Sequence, residues 1–180
     1  MELCHRTYLT QSQKKALNVA RWQSWRGMFI QRPRLRTNGM YFLKHSFIKT
    51  PVRDMTSNYT PGTILEVVWF RYFRFNADGR VAYGLLHEPP KEAIRLFRAN
   101  SPRFVWGRYS INRREVTVDI PASYAHIRFR LTVENGERGH FTQLVLQEHT
   151  SKARSDPRGT RCWHKVTPDD LFKYRRVWVI

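Results

Sequence analysis

The residues of this 180-residue chain that could do chemistry form a few groups. Asp169/Asp170 and Glu88/Glu92 are paired acids, the type an acid–base mechanism needs. Each pair stands beside a proline where the sequence reads as a helix start, so dipole and capping stabilisation explains it without catalysis. Cys162 lies close to His164, with Cys4 and His5 far away in the chain. Zinc sites repeat such pairs at tighter spacing, so no metal is expected, and no cofactor. The other histidines are scattered over strand-like runs and turns. No phosphate-binding glycine loop and no nucleophile elbow is present, and nothing identifies an enzyme. The arginines say more. Arg32, Arg34 and Arg36 alternate around Pro33, and Arg71, Arg74, Arg128 and Arg130 fall in strand-like runs. A solvated face is the plain explanation of each cluster. Arginine also grips carboxylate or phosphate with two parallel N–H groups. Arg71, Arg74, Arg128 and Arg130 are therefore the candidate substrate-binding residues, with an acidic or phosphorylated peptide as the ligand class.

Composition limits what these residues can serve. Aromatic residues make up 14% of the chain, which excludes a disordered tail. A chain of this length buries roughly 70% of its unfolded surface, enough for a full core. Two cysteines exclude a disulfide scaffold and fit a reducing compartment, so a cytoplasmic location is expected, with the nucleus open as well. No run approaches the ~20 apolar residues of a membrane span. Residues 1–15 do not read as a secretory signal, and the Asn58-Tyr59-Thr60 sequon is expected to be silent. The net charge is +18, and it is uneven. Residues 1–50 hold 10 basic and 1 acidic residue, residues 51–150 hold 14 and 10, and residues 151–180 hold 8 and 3. Basic ends attract nucleic acid, acidic proteins or anionic lipid alike.

The elements that must position these groups are mostly strands. Residues 10–30 read as a helix, opened by a Thr10/Gln13 capping box and stopped by Pro33. Beyond Gly39 the apolar period changes to two. Strands are predicted over 40–49, 63–75, 80–86, 103–111, 115–120, 124–134, 140–149, 163–166 and 176–180. Turns are predicted at Asn76–Gly79, Asn112-Arg113 and Asn135-Gly136. Short helices are predicted near 90–98, with Ile94 and Phe97 facing inward, and from Thr167-Pro168-Asp169-Asp170. Residues 151–161 read as a polar loop. The centre of 63–75 is apolar on both faces, so something must cover its outer side, and the first helix is the natural candidate. The fold class is mainly β: an antiparallel, lipocalin-like barrel or a sandwich of about eight strands, with an N-terminal helix and one or two short helices.

Two motifs carry a family resemblance. Ser24–Tyr41, containing Trp25, Arg26, Phe29, Pro33, Gly39 and Tyr41, resembles the stretch that follows the F-box in the F-box only protein 9 family. Trp69–Phe75, followed by Asp78-Gly79, is similar to that family's first long hairpin, and Glu88-Pro89-Pro90 to its short proline segment. Tyr174–Trp178 resembles its closing strand more weakly. The resemblance implies a non-catalytic substrate receptor of a Skp–cullin–F-box ubiquitin ligase, acting in ubiquitin-dependent degradation of a protein substrate. The matched residues are expected to be architectural. The division expected is an F-box exit and linker helix over 1–36 and a β-barrel substrate-binding domain over 37–180. The F-box itself is not present in the sequence, where only Leu3–Tyr8 resembles its exit. Binding of the Skp adaptor is therefore expected only for a form extended upstream.

Two other functions fit the residues. A nucleic-acid-binding barrel would use Phe70-Arg71-Tyr72-Phe73-Arg74-Phe75 as a stacking platform, provided its aromatics are exposed. A lipocalin-like barrel would hold a small apolar ligand, provided bulky side chains do not fill it.

Overall fold

The computed structural model describes residues 33–49, 63–137, 139–155 and 159–177. The predicted N-terminal helix, with Trp25, Arg26 and Phe29, lies outside the described residues.

Alternating apolar side chains build strands that each keep one face dry. The elements are β1 (Gly39–Lys49), β2 (Leu65–Phe75), β3 (Arg80–Leu86), helix α1 (Pro90–Arg98), β4 (Phe104–Asn112), β5 (Glu115–Pro121), β6 (Ala125–Gly136), β7 (Gly139–Ala153), β8 (Cys162–Trp163) and β9 (Leu171–Arg176). Strands β1 to β7 form an antiparallel meander, and β9 slots between β7 and β1. The result is a closed eight-stranded antiparallel barrel, with β8 a two-residue addition further along β7. Closure leaves the barrel wall without a free edge. Tyr41 marks the seam, opposite Phe73 on one side and Tyr174 on the other.

The interior is solid. Tyr41, Phe73, Phe75, Phe129 and Phe172 are fully buried there, with Val116, Val118, Leu131 and Leu144 between them. Phe73 lies 4.9 Å from Phe172 and 5.1 Å, edge to face, from Phe129, ring centre to ring centre. Side chains thus occupy the space in which a lipocalin-like barrel would hold a ligand. The same burial removes the stacking platform: Tyr72, Phe73 and Phe75 are each 1% exposed or less.

The second apolar face of β2 packs outward against α1. Ala93 of α1 is fully buried, and Ile94 and Phe97 pack beside it on Tyr72, Ala82, Leu86, Phe104 and Val177. Pro90 takes the helix's first turn, where no backbone donor is lost, and Arg98 its last. The Tyr72 hydroxyl donates to the Glu88 carbonyl at 2.7 Å, and Arg103 pairs with the Glu88 carboxylate. The β2–β3 turn is set by Asp78, which accepts the Arg80 backbone N–H at 3.0 Å, and by Gly79 at φ +85°.

Five expectations need correction. Thr167-Pro168-Asp169-Asp170 begins no helix. The Asp170 carboxylate accepts the Thr167 backbone N–H at 2.7 Å and the Asp170 N–H returns to the Thr167 carbonyl at 3.0 Å, closing a turn. The apolar residues that follow, Phe172 and Tyr174, are two apart, which is strand spacing. The closing strand accordingly begins earlier than expected, at Leu171, and runs to Arg176, and of the expected 176–180 only Arg176 and Val177 are among the described residues. Pairing at 163–166 shrinks to Cys162–Trp163, and β7 runs on through Ala153 into the supposed loop. The β6–β7 turn falls beyond Asn135-Gly136, which still belong to β6.

Candidate functional site

One end of the barrel is polar. Inward positions are fixed by the pleat: with Phe73 and Phe75 inside, Arg71 and Trp69 of β2 also face in, and with Tyr41 and Leu43 inside, so does His45 of β1. His149 arrives by another route. The β6–β7 register skips one residue between Leu131↔Leu146 and Arg130↔Glu148. That bulge reverses the alternation, so Leu146 and His149, three apart, both face in.

The imidazoles are held by stacking. His149 lies between Phe129, 4.5 Å away and nearly parallel, and His164, 4.1 Å away. The His164 backbone N–H donates to the His149 carbonyl at 2.9 Å, and its Nε2 is 2.8 Å from Ser151 Oγ. No carboxylate is bonded to His164 among the described residues, so this Ser–His pair lacks the orienting group of a hydrolase triad. His45 stacks on Trp69, and its Nδ1 is 3.8 Å from the buried carboxylate of Asp170.

The electrostatics centre on Arg71. Its Nε is buried with no hydrogen-bond partner, and so is His45 Nε2. Burial, reinforced by the Arg71 charge, lowers His149 to about 3 and pulls His45 below the ordinary histidine value, with Asp170 opposing at His45. Burial likewise lifts Tyr83 to about 12, against the pull of Arg71. At neutral pH Arg71 therefore stands among the uncharged rings of His45, His149 and Tyr83, with the Asp170 carboxylate beside His45.

The four candidate arginines occupy three places. Arg71 is in this mouth. Arg74 points outward, its guanidinium 4.9 Å from the Phe97 ring centre beside α1. Arg128 and Arg130 lie on the outer face of β6, where Arg128 Nε meets Asp119 at 2.6 Å and Arg130 approaches Glu148 at 3.5 Å. Arg128 lines an outer groove of about 590 Å³ with Trp106, Arg108, Lys152 and Arg161. Of the matched motif residues, Pro33 precedes the sheet, Gly39 and Tyr41 form the seam, and Asp78 and Gly79 make a turn. Cys162 is an exposed free thiol on β8. Sequence reading did not single out His45 or His149, and it assigned Asp170 to a helix start rather than to this mouth. A signal for His45 was available in the alternation from Tyr41, but none for the bulge that turns His149 inward.

Such a barrel, filled along its length and polar at one mouth, belongs to the class of small all-β domains whose accessible chemistry lies at the rim and outer face. Residues 14–166 match the family model of the F-box only protein C-terminal region, and the chain belongs to that family. No solved structure matches it.

Proposed function

We propose that this chain is the substrate-recognition part of an F-box protein in a Skp–cullin–F-box ubiquitin ligase. The observation that carries this reading is the family match over residues 14–166. The fold is consistent with the role: a closed barrel packed solid with aromatic side chains is a rigid platform, and a receptor needs rigidity more than reactive groups. Its physical task is positioning. Holding a target beside the ubiquitin-carrying enzyme raises the effective concentration of the target's lysines. Adaptor contact belongs to an F-box segment, and the barrel supplies the surface that selects the protein to be degraded.

The test joins residues 1–180 to an F-box segment of a well-characterised receptor and measures protein half-lives in cells by quantitative mass spectrometry. A restricted set of proteins should turn over faster, and blocking cullin activation should restore them. A folded fusion that binds the Skp adaptor yet shortens no half-life in a cullin-dependent way contradicts the reading.

A further inference from the structure

We propose that the barrel mouth binds the terminal carboxylate of a protein chain, with Arg71 as the anion-holding residue and the exposed rim as the seat of the last side chains. This rests on the receptor reading above and names the feature by which substrates would be chosen.

The first observation is the unanswered charge. Arg71 Nε is out of reach of water and has no acceptor, and no ion pair to Arg71 forms among the described residues. The barrel's outer arginines are different: Arg80, Arg103 and Arg128 each hold a carboxylate. A guanidinium set into a barrel without a counter-ion is unfavourable unless an anion arrives to complete it.

The second observation is the charge count, which selects the anion. Burial keeps His149 and His45 neutral at pH 7, so they add donors but no charge, and the Asp170 carboxylate lies 3.8 Å from His45. Asp170 repels any arriving anion, a phosphate dianion about twice as strongly as a carboxylate, so the anion of least charge is favoured, and a carboxylate also matches the planar fork of the guanidinium.

The third is depth. Arg71 is paired across the sheet with Leu43 and Leu85, two residues further in than the His45↔Trp69 pair. At about 3.3 Å per residue that is roughly 7 Å below the His45–Trp69 layer on the β1–β2 side, while on the β3 side Leu85, in the same layer as Arg71, is open to solvent. Phe47, edge-on to Trp69, forms a further layer above on the β1–β2 side. An acidic side chain hung from a chain lying across that side of the rim must reach past both layers. A chain terminus entering end-on descends with its own backbone, and the packed rings of Phe73 and Phe129 stop it from passing through.

The rim supplies the rest. Phe47, Leu85 and Tyr124, from three different segments, are 44%, 52% and 69% exposed. Apolar side chains preceding a terminal carboxylate would cover them, and a free anion would not.

The experiment equilibrates the 180-residue chain with a random heptapeptide library bearing free carboxyl ends, beside the same library capped as C-terminal amides, and identifies retained peptides by mass spectrometry. The free-acid library should yield peptides with apolar final residues. Each should bind about 10- to 100-fold more tightly than its own amide, the loss expected when a charged hydrogen-bonding group is removed. Acetate should compete better than inorganic phosphate. Arg71→Met should abolish the preference for the acid, and Arg108→Met in the outer groove should keep it. Leu85→Glu, at an exposed position opposite Arg71, supplies an internal carboxylate and should abolish binding, so the test stands even if Arg71→Met does not fold. Equal binding of acid and amide, selection of internal Asp or Glu, stronger competition by phosphate, or an empty selection overturns the proposal. In the half-life assay above, cullin-dependent turnover that survives Arg71→Met removes the mouth assignment and leaves the receptor reading resting on another surface.

Discussion

Replacing Arg71 with methionine should make the protein more stable. The arginine stem packs between Leu43 and Leu85, its cross-strand partners, and methionine keeps most of that contact while discarding the guanidinium. What is lost is a buried Nε–H with no acceptor, and leaving such a donor unmade costs about 1–3 kcal/mol. Exchanging buried ionic groups for apolar ones of similar size is neutral or stabilising by about 1–4 kcal/mol. Arg71 is only partly buried, so water screens its outer nitrogens, and the expected gain is about 1–2 kcal/mol. That corresponds to a rise in Tm of about 2–8 °C for a chain of this size. Urea unfolding followed by circular dichroism and tryptophan fluorescence would read it as a higher midpoint at unchanged slope. The same variant should raise the pKa of His149 and of His45, because the Arg71 charge depresses both. His149 should stay below the ordinary value, since burial is the larger cause. A lower urea midpoint for Arg71→Met would show that the guanidinium is satisfied in the free protein and would refute the reasoning.

His149 gives the fold an acid dependence. Its folded pKa of about 3 lies below the unfolded 6.5, so this contribution is complete above pH 6.5 and is lost as pH falls toward 3. The slope is at most about 1.4 kcal/mol per pH unit, reduced where water reaches the ring past the exposed His164. Urea midpoints from pH 7.5 to 4.5 should show His149→Phe with a shallower decline than the parent, and parallel declines would exclude the assignment. Gly39→Ala should cost about 2 kcal/mol or more and blunt the thermal transition, because a Cβ there collides with the Arg175 carbonyl and the Tyr174 ring at the β1–β9 seam. Tyr41→Phe removes a hydroxyl that donates to the Phe141 carbonyl and accepts the Arg36 N–H, both at 3.0 Å. It should lower stability by about 1–3 kcal/mol in chemical denaturation, and no measurable loss would mean the seam does not depend on it.

The legible parts of this fold are those where local pattern and tertiary demand agree. Ala125, Ile127, Phe129, Leu131 and Val133 alternate without a break, and all five face the core. The doubly apolar centre of β2 signalled a cover on its outer side, and the described cover is α1, the nine-residue helix that follows the β2–β3 hairpin, while the N-terminal helix that the sequence suggested lies outside the described residues. The illegible parts are those where one pattern serves two structures. A hydroxyl, a proline and two acids open a helix or a turn equally well, and only the spacing of Phe172 and Tyr174 afterwards decides for a turn. A barrel was one of the two expected architectures, but the seating of β9 between β1 and β7 was not legible, since those pairings join segments more than a hundred and about thirty residues apart in the chain. His149 escaped because a one-residue bulge changes which face a strand presents and leaves no mark in the residue types. Arg71 was visible as an arginine in a strand, but placing it in the mouth requires knowing that the sheet closes.

That last point bears on how the +18 charge should be weighed. An arginine on the outer face of a strand keeps its hydration, so it can accumulate or disappear with little effect on folding. Several of those here are already matched, Arg128 by Asp119, Arg80 by Asp78 and Arg103 by Glu88. An arginine turned into the barrel has no such freedom. Its charge must be hydrated through the mouth, and each apolar neighbour makes that harder: Leu43 and Leu85 beside it, and Trp69 one layer above. A valine or leucine at the same position would serve the core better on every physical ground considered for Phe73 and Phe75. One inward charge held against that gradient therefore says more about what the domain binds than the surplus spread over its surface.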